Sequence, residues 1–180
     1  MYVRIPVAVT LFAALTVGAA AQTPKKAPPA APPAHHTVVT AADLKWQPAP
    51  PSLPAGAEAA VISGDPMQAG PFVIRLKFPD GYTVPPHFHP TTENVTVLSG
   101  SLAVGTGDTL DAAAAKVLGP GDFVMMPKAM HHFAMAKAAT TIQVHATGPF
   151  AITYINPNDD PRKKTTTDAM SVGSAMYGVR

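Results

Sequence analysis

The sequence predicts an all-β barrel or sandwich. Three observations carry that prediction. Short runs rich in Val, Ile, Phe and Thr recur along the middle of the chain. Glycine or proline punctuates the gaps between them, and the 180 residues include 21 prolines and 13 glycines. One segment only, Asp111-Ala-Ala-Ala-Ala-Lys116, has a helix-forming composition. Short β-rich runs with turn signals between them are the pattern of sandwiches and barrels.

The elements follow in order. Arg4 precedes the run Ile5 to Val17, apolar apart from Pro6, Thr10 and Thr16, and Ala19-Ala20-Ala21 comes after it. A basic start, a short apolar stretch and an A-x-A site make residues 1–21 a secretory signal peptide with cleavage before Gln22. The run is shorter than the roughly 20 residues of a spanning helix, so no stable membrane span is expected after cleavage. The expected location is exported, periplasmic or secreted. Residues 22–36 are rich in Pro and Ala, which favours an extended polyproline tether. His35 and His36 at its end read as a solvated pair.

The folded domain is expected over residues 37–160. Trp46 precedes the first strand and is expected to staple the N-terminal segment to the barrel. Predicted strands are Ala59–Ser63, Phe72–Phe78, Asn94–Leu98, Ser101–Gly105, Phe123–Met126, His132–Ala136, Thr140–His145 and Phe150–Ile155. Leu98-Ser-Gly-Ser-Leu102 reads as a tight hairpin. Asp111 is a plausible N-cap for one or two helical turns over the alanines. Residues 161–180 form a polar C-terminal tail, with Arg162-Lys163-Lys164 as a solvated patch.

Composition narrows the function classes. There is no cysteine, which excludes thiol nucleophiles, Cys-type zinc sites and iron–sulfur clusters. A formal net charge of +2 with 13% charged residues is too balanced to indicate nucleic acid or an anionic membrane as partner.

The chemistry concentrates in Gly81 to Gly100, which holds His87, His89 and Glu93. Strand alternation puts His87 and His89 on one face. Glu93 shares its parity with Val95 and Val97, so it faces the same apolar interior as the valines. A carboxylate there is costly unless it is paired or metal-bound. Neutral imidazoles with a carboxylate suit a divalent transition metal. The stretch Gly121 to His132 can add a further imidazole from His131 or His132.

With Gly81, His87, His89, Glu93 and Gly100 in register, the chain resembles the cupin superfamily at its first motif. Gly121, Pro127 and His132 resemble the second motif, over about residues 60–150 in all. Ala129 stands where that motif has a turn glycine, so its backbone is expected to avoid positive φ. Ala136 stands in its asparagine position. The resemblance implies a double-stranded β-helix (jelly-roll) barrel, with a divalent metal held by His87, His89, Glu93 and His132. The motif spacing selects His132, and alternation turns His131 away. The resemblance also implies one or two open metal positions and makes a homodimer plausible. The donor set fits Zn, Mn, Fe, Ni, Co or Cu, and export slightly favours Zn or Mn.

Gln143 and His145 share a parity on a late strand. Facing inward they would line a pocket for a small-molecule ligand; facing outward they would meet solvent. Tyr82 and Tyr154 are candidate acids or packing residues, and Met125, Met126, Met130 and Met135 read as filling for the barrel and its mouth. The expected function is a metal-dependent enzyme on a small organic substrate, of dioxygenase, isomerase, decarboxylase or lyase type, with Glu93 a possible base. The alternatives are a non-catalytic cupin that binds or senses a small molecule or metal, and a barrel whose metal is purely structural.

Overall fold

The computed structural model describes residues 36–163. The expected signal peptide, the linker up to His35 and the tail from Lys164 onward lie outside the described residues. Among the described residues eleven strands follow in order: β1 (Gln47–Pro48), β2 (Glu58–Ser63), β3 (Gly70–Phe78), β4 (Thr83–Phe88), β5 (Glu93–Ser99) and β6 (Leu102–Thr106), then β7 (Lys116–Leu118), β8 (Phe123–Met126), β9 (His132–Ala136), β10 (Thr140–Gly148) and β11 (Thr153–Tyr154). They form two antiparallel sheets, β1-β2-β3-β10-β5-β8 and β11-β4-β9-β6-β7. Among the described residues no helix is long and apolar enough to cross a membrane.

Alternation decides what each strand buries. In β5, Glu93, Val95 and Val97 are buried while Asn94, Thr96 and Leu98 are not. In β10, Thr140, Ile142 and Val144 are buried while Thr141 and Gln143 are only partly so and His145 is exposed. The inward residues of both sheets, including Leu76, Phe78, Val84, Leu102 and Met126, share one core. Each such side chain contributes about 1.5–3 kcal/mol on leaving water. A second, smaller cluster of Ala103, Phe133 and Met135 lies under Ala115. Phe133 is the residue after inward-facing His132, so alternation sends it to the opposite face of its sheet.

Three expectations are corrected here. Leu98–Leu102 is not a hairpin, because β5 pairs with β10 and β8 while β6 pairs with β9 and β7. The chain crosses from one sheet to the other at Gly100, whose φ is 83°. A Cβ there would strike Ala139 and Thr140, so only glycine permits the crossing. The alanine run does not become a helix. Asp111 does cap, its Oδ1 accepting from the N–H of Ala113 at 2.9 Å, but the turn stops there. Too few residues remain to offset helix nucleation once Lys116–Leu118 is drawn into pairing with β6.

The third correction is Ala129, which adopts φ 61°. Its N–H donates to the His89 carbonyl at 2.9 Å while the Met130 N–H donates to Pro127 at 3.0 Å, and this turn requires the left-handed backbone. The conformation costs an L-residue about 1–2 kcal/mol, and glycine gives back roughly 0.5–1 kcal/mol through unfolded-state entropy. Ala129→Gly should therefore raise stability by about 0.5–1 kcal/mol, read as a higher urea midpoint at unchanged slope. An unchanged or lower midpoint would count against the strain.

The N-terminal segment is tied down as expected. Trp46 is partly buried, and the Lys77 ammonium lies 3.9 Å from its ring centroid. The Tyr82 hydroxyl donates to the Pro54 carbonyl, and the Tyr154 hydroxyl donates to the Ser52 carbonyl at 2.8 Å. Both tyrosines therefore pack with satisfied hydroxyls, and burial raises both phenols above their ordinary value.

Candidate metal centre

The fold gathers residues distant in sequence. His87 sits near the end of β4, directly opposite His132 of β9 on one side and Tyr154 of β11 on the other. The register between β4 and β9 shifts between Val84 and His87, where Pro85 and Pro86 lie. Proline has no N–H to give a ladder, so this pair coincides with the irregularity within the strand. His89 follows one residue after β4, and Pro90 ends the pairing. Glu93 opens β5 in the other sheet, opposite Met126 of β8. The two sheets thus meet at four buried polar side chains, His87, His89, Glu93 and His132.

The imidazoles are oriented from behind. His87 Nδ1 lies 2.7 Å from the Pro85 carbonyl, His89 Nδ1 2.7 Å from the Ala151 carbonyl, and His132 Nδ1 3.0 Å from the Met130 carbonyl. A carbonyl oxygen can only accept, so each Nδ1 carries the hydrogen. In the neutral ring that leaves every Nε2 with a free lone pair. One ligating nitrogen from each ring lies within 4.8 Å of the others, so the three buried histidines could hold a metal ion. Glu93 Oε2 is 3.5 Å from His89 Nε2 and 3.3 Å from His132 Nε2. The backbone-oriented, inward-pointing imidazole is the arrangement that metal-ligating histidines use.

Electrostatics agree with that donor set. Burial first, then the neighbouring His132 and His89, pushes His87 down to about 3. Burial likewise lowers His89. Burial alone would raise Glu93, but the contact with His132 and the other nearby imidazoles outweigh it and hold the carboxyl below its ordinary value. At neutral pH the site therefore offers neutral His87 and His89 beside an ionised carboxylate, the protonation states that metal binding requires.

The pH dependence follows. An unfolded histidine takes up its proton near pH 6.5, whereas folded His87 stays neutral down to about 3. Below pH 6.5 the unfolded chain binds the extra proton, so the metal-free fold loses about 1.4 kcal/mol per pH unit from this group. His89 acts in the same direction, and Glu93 does so at lower pH. Melting temperature of the metal-free chain should fall steadily from about pH 6.5 toward pH 4 and stay level above pH 7. A flat acid limb would refute the buried neutral imidazoles.

The remaining candidates separate cleanly. His131 turns away, its Nδ1 2.6 Å from Asp108 Oδ1 and its ring stacked on Phe88. Gln143 and His145 are not pocket residues, because Ile142 and Val144 take the inward positions of β10. Instead Arg75 Nε donates to Gln143 Oε1 at 2.9 Å, and Gln143 Nε2 lies 3.0 Å from His145 Nε2, outside the barrel. Of the four methionines, Met126 lines the interior, Met135 joins the outer cluster, and Met125 and Met130 are exposed. Residues without any sequence signal also serve the site. The Phe150 ring stacks on His89 with centroids 4.2 Å apart, and Ala151 holds the same ring through its carbonyl. The four site residues open into a cavity of about 240 Å³ lined by Ile74, Leu76, Val95, Ile142 and Val144, and also by Pro50, Ser52 and Leu53.

Two antiparallel sheets closed over a histidine-bearing interior define a small jelly-roll barrel of the cupin superfamily. The chain belongs, more narrowly, to the ChrR cupin-like domain family, which it matches over residues 34–151. Among curated proteins it is 30% identical over 114 residues to the rhicadhesin receptor of Pisum sativum, a match covering 58% of this chain and 52% of the receptor. It is 42% identical over 62 residues to germin-like protein subfamily 1 member 1 of Arabidopsis thaliana, covering 34% and 29%. The matches thus span about half of these relatives' length or less. Among solved structures the polyketide cyclase RemF of Streptomyces resistomycificus superposes with TM-score 0.55 at 18% identity, over 73% of this chain and 94% of that one. A candidate acetylacetone dioxygenase of Methylibium petroleiphilum PM1 gives 0.55 at 18% identity, over 71% and 86%. These likenesses concern the fold.

Proposed function

We propose that His87, His89, Glu93 and His132 hold one divalent transition metal, and that the chain is a metal-dependent enzyme on a small organic substrate. The observation that carries this reading is the set of three imidazoles fixed from behind by carbonyls, with their Nε2 atoms converging beside a buried carboxylate. Bound there, the ion would supply Lewis-acid polarisation of a ligand oxygen. The chain's own contribution is positional: Pro85, Ala151 and Met130 orient the rings, and the apolar walls exclude water. Among the described residues Glu93 is the one carboxylate lining the cavity, so removal of a substrate proton falls to it. The fold relatives named as a polyketide cyclase and a candidate acetylacetone dioxygenase are in keeping with chemistry on a small organic molecule, and the reaction types proposed are dioxygenase, isomerase, decarboxylase or lyase.

A second reading, binding or sensing without turnover, draws on a specific observation. Among the described residues, apart from the four site residues, Ser52 is the one side chain lining the cavity that can exchange a proton. Elemental analysis of the purified full chain, followed by oxygen-uptake and product assays on candidate substrates, separates the readings. One ion per chain, lost in Glu93→Ala, is the expected result. A metal-free chain, or a metal content indifferent to Glu93→Ala, sinks the metal site. Tight binding with no product would favour sensing. Action outside the cytoplasm belongs to the same proposal, on the strength of the signal-like residues 1–21, and an exported form beginning at Gln22 would bear it out.

A further inference from the structure

We infer that the ligand of this cavity is a small apolar molecule with a single ionised oxygen head group, and not a dicarboxylate or a sugar. The inference rests on the metal reading above and narrows it to a substrate class. Its first ground is the character of the walls. Ile74, Leu76, Val95, Ile142 and Val144 present hydrocarbon alone, and among the described residues Ser52 offers the one hydroxyl. A sugar would bury several hydroxyls with nothing to receive them, a cost that binding does not recover.

The second ground is charge. Among the described residues no lysine or arginine lines the cavity. The basic residues of β3 alternate with its inward side chains and are engaged elsewhere, Arg75 with Gln143 and Lys77 with Glu58 and the Trp46 ring. A divalent ion beside the Glu93 carboxylate leaves one net positive charge. A singly ionised head cancels it, while a second carboxylate would sit buried without a cation.

The third ground is the entrance. Val61 and Met67 line the cavity yet are 57% and 72% exposed, so the mouth itself is apolar. The volume of about 240 Å³ falls below the roughly 300–1,000 Å³ of pockets for drug-sized ligands, which limits the guest to about one ring with short substituents.

Benzoylformate and oxalate make a matched pair of probes, since both present adjacent oxygens but one replaces a carboxylate with a phenyl ketone. The full chain is loaded with zinc, its content is checked by elemental analysis, and each probe is titrated calorimetrically. Benzoylformate should bind at least about 100-fold more tightly than oxalate, with a negative heat-capacity change. Val61→Arg, at an exposed position that does not endanger folding, should shrink that preference by supplying a cation at the mouth. Oxalate binding as tightly as benzoylformate to the unaltered chain overturns the inference. A chain that takes up no zinc overturns the ligand set instead. In that chain the shift in melting temperature by benzyl alcohol against glycerol reads the apolar cavity alone, and equal shifts overturn the inference.

Discussion

Replacing His132 with alanine should abolish metal retention, while replacing its neighbour His131 should leave it intact. His132 is buried opposite His87, with Nε2 toward Glu93 and Nδ1 on the Met130 carbonyl. His131 sits on the other side of the same strand end, paired with Asp108. Removing a ligand costs more than disturbing the groups behind one, which alone costs about 10–100-fold in affinity. His132→Ala should therefore weaken metal binding by more than about 100-fold, upward of roughly 3 kcal/mol. Competition against a coloured chelator measures both variants. Equal losses in the two would contradict the assignment of His132.

Phe133→Ala should be the most destabilising single truncation near the site while leaving its ligands untouched. Phe133 is fully buried, and with Ala103 and Met135 it forms the cluster under Ala115 on the far side of the sheet. Its ring is packed so closely on Gly105 of β6 that a Cβ there would collide with it. Little can move in to fill the space, so the loss should be about 3–5 kcal/mol. Denaturant unfolding would show this as a lower midpoint. Below its melting temperature the variant should still bind one metal per chain, because the four site residues face the opposite side. Loss of metal in the folded variant would show that the outer cluster sets ligand geometry.

Much of this was legible in the chain itself. Phe123–Met126 and His132–Ala136 run as strands over the predicted residues, and β2, β3, β5 and β10 differ from prediction at their ends. Glu93 faces inward because it shares parity with Val95 and Val97, a relation that needs no partner strand. Errors arose where a second element decides. Asp111 to Lys116 has the composition of a helix, but pairing of Lys116–Leu118 with β6 claims the end of it. Leu98 to Leu102 has the look of a hairpin, but its two arms lie in different sheets. Gln143 and His145 had two possible faces, and only the register of β10 against β3 and β5 chose the outer one.

The sequence by itself determined the barrel class and the inward parity of Glu93, and its resemblance to the second cupin motif pointed to His132 over His131. Those properties follow from short-range periodicity and from residue chemistry at fixed spacing. The tertiary structure decided what surrounds them. Ala151 and Phe150 reach His89 from 61–62 residues away, Ser52 and Leu53 line the cavity, and a left-handed backbone is imposed on Ala129. Such contacts join segments far apart in the chain, through carbonyls and apolar walls that any sequence could supply. Only the packing of one sheet against the other selects which of them meet.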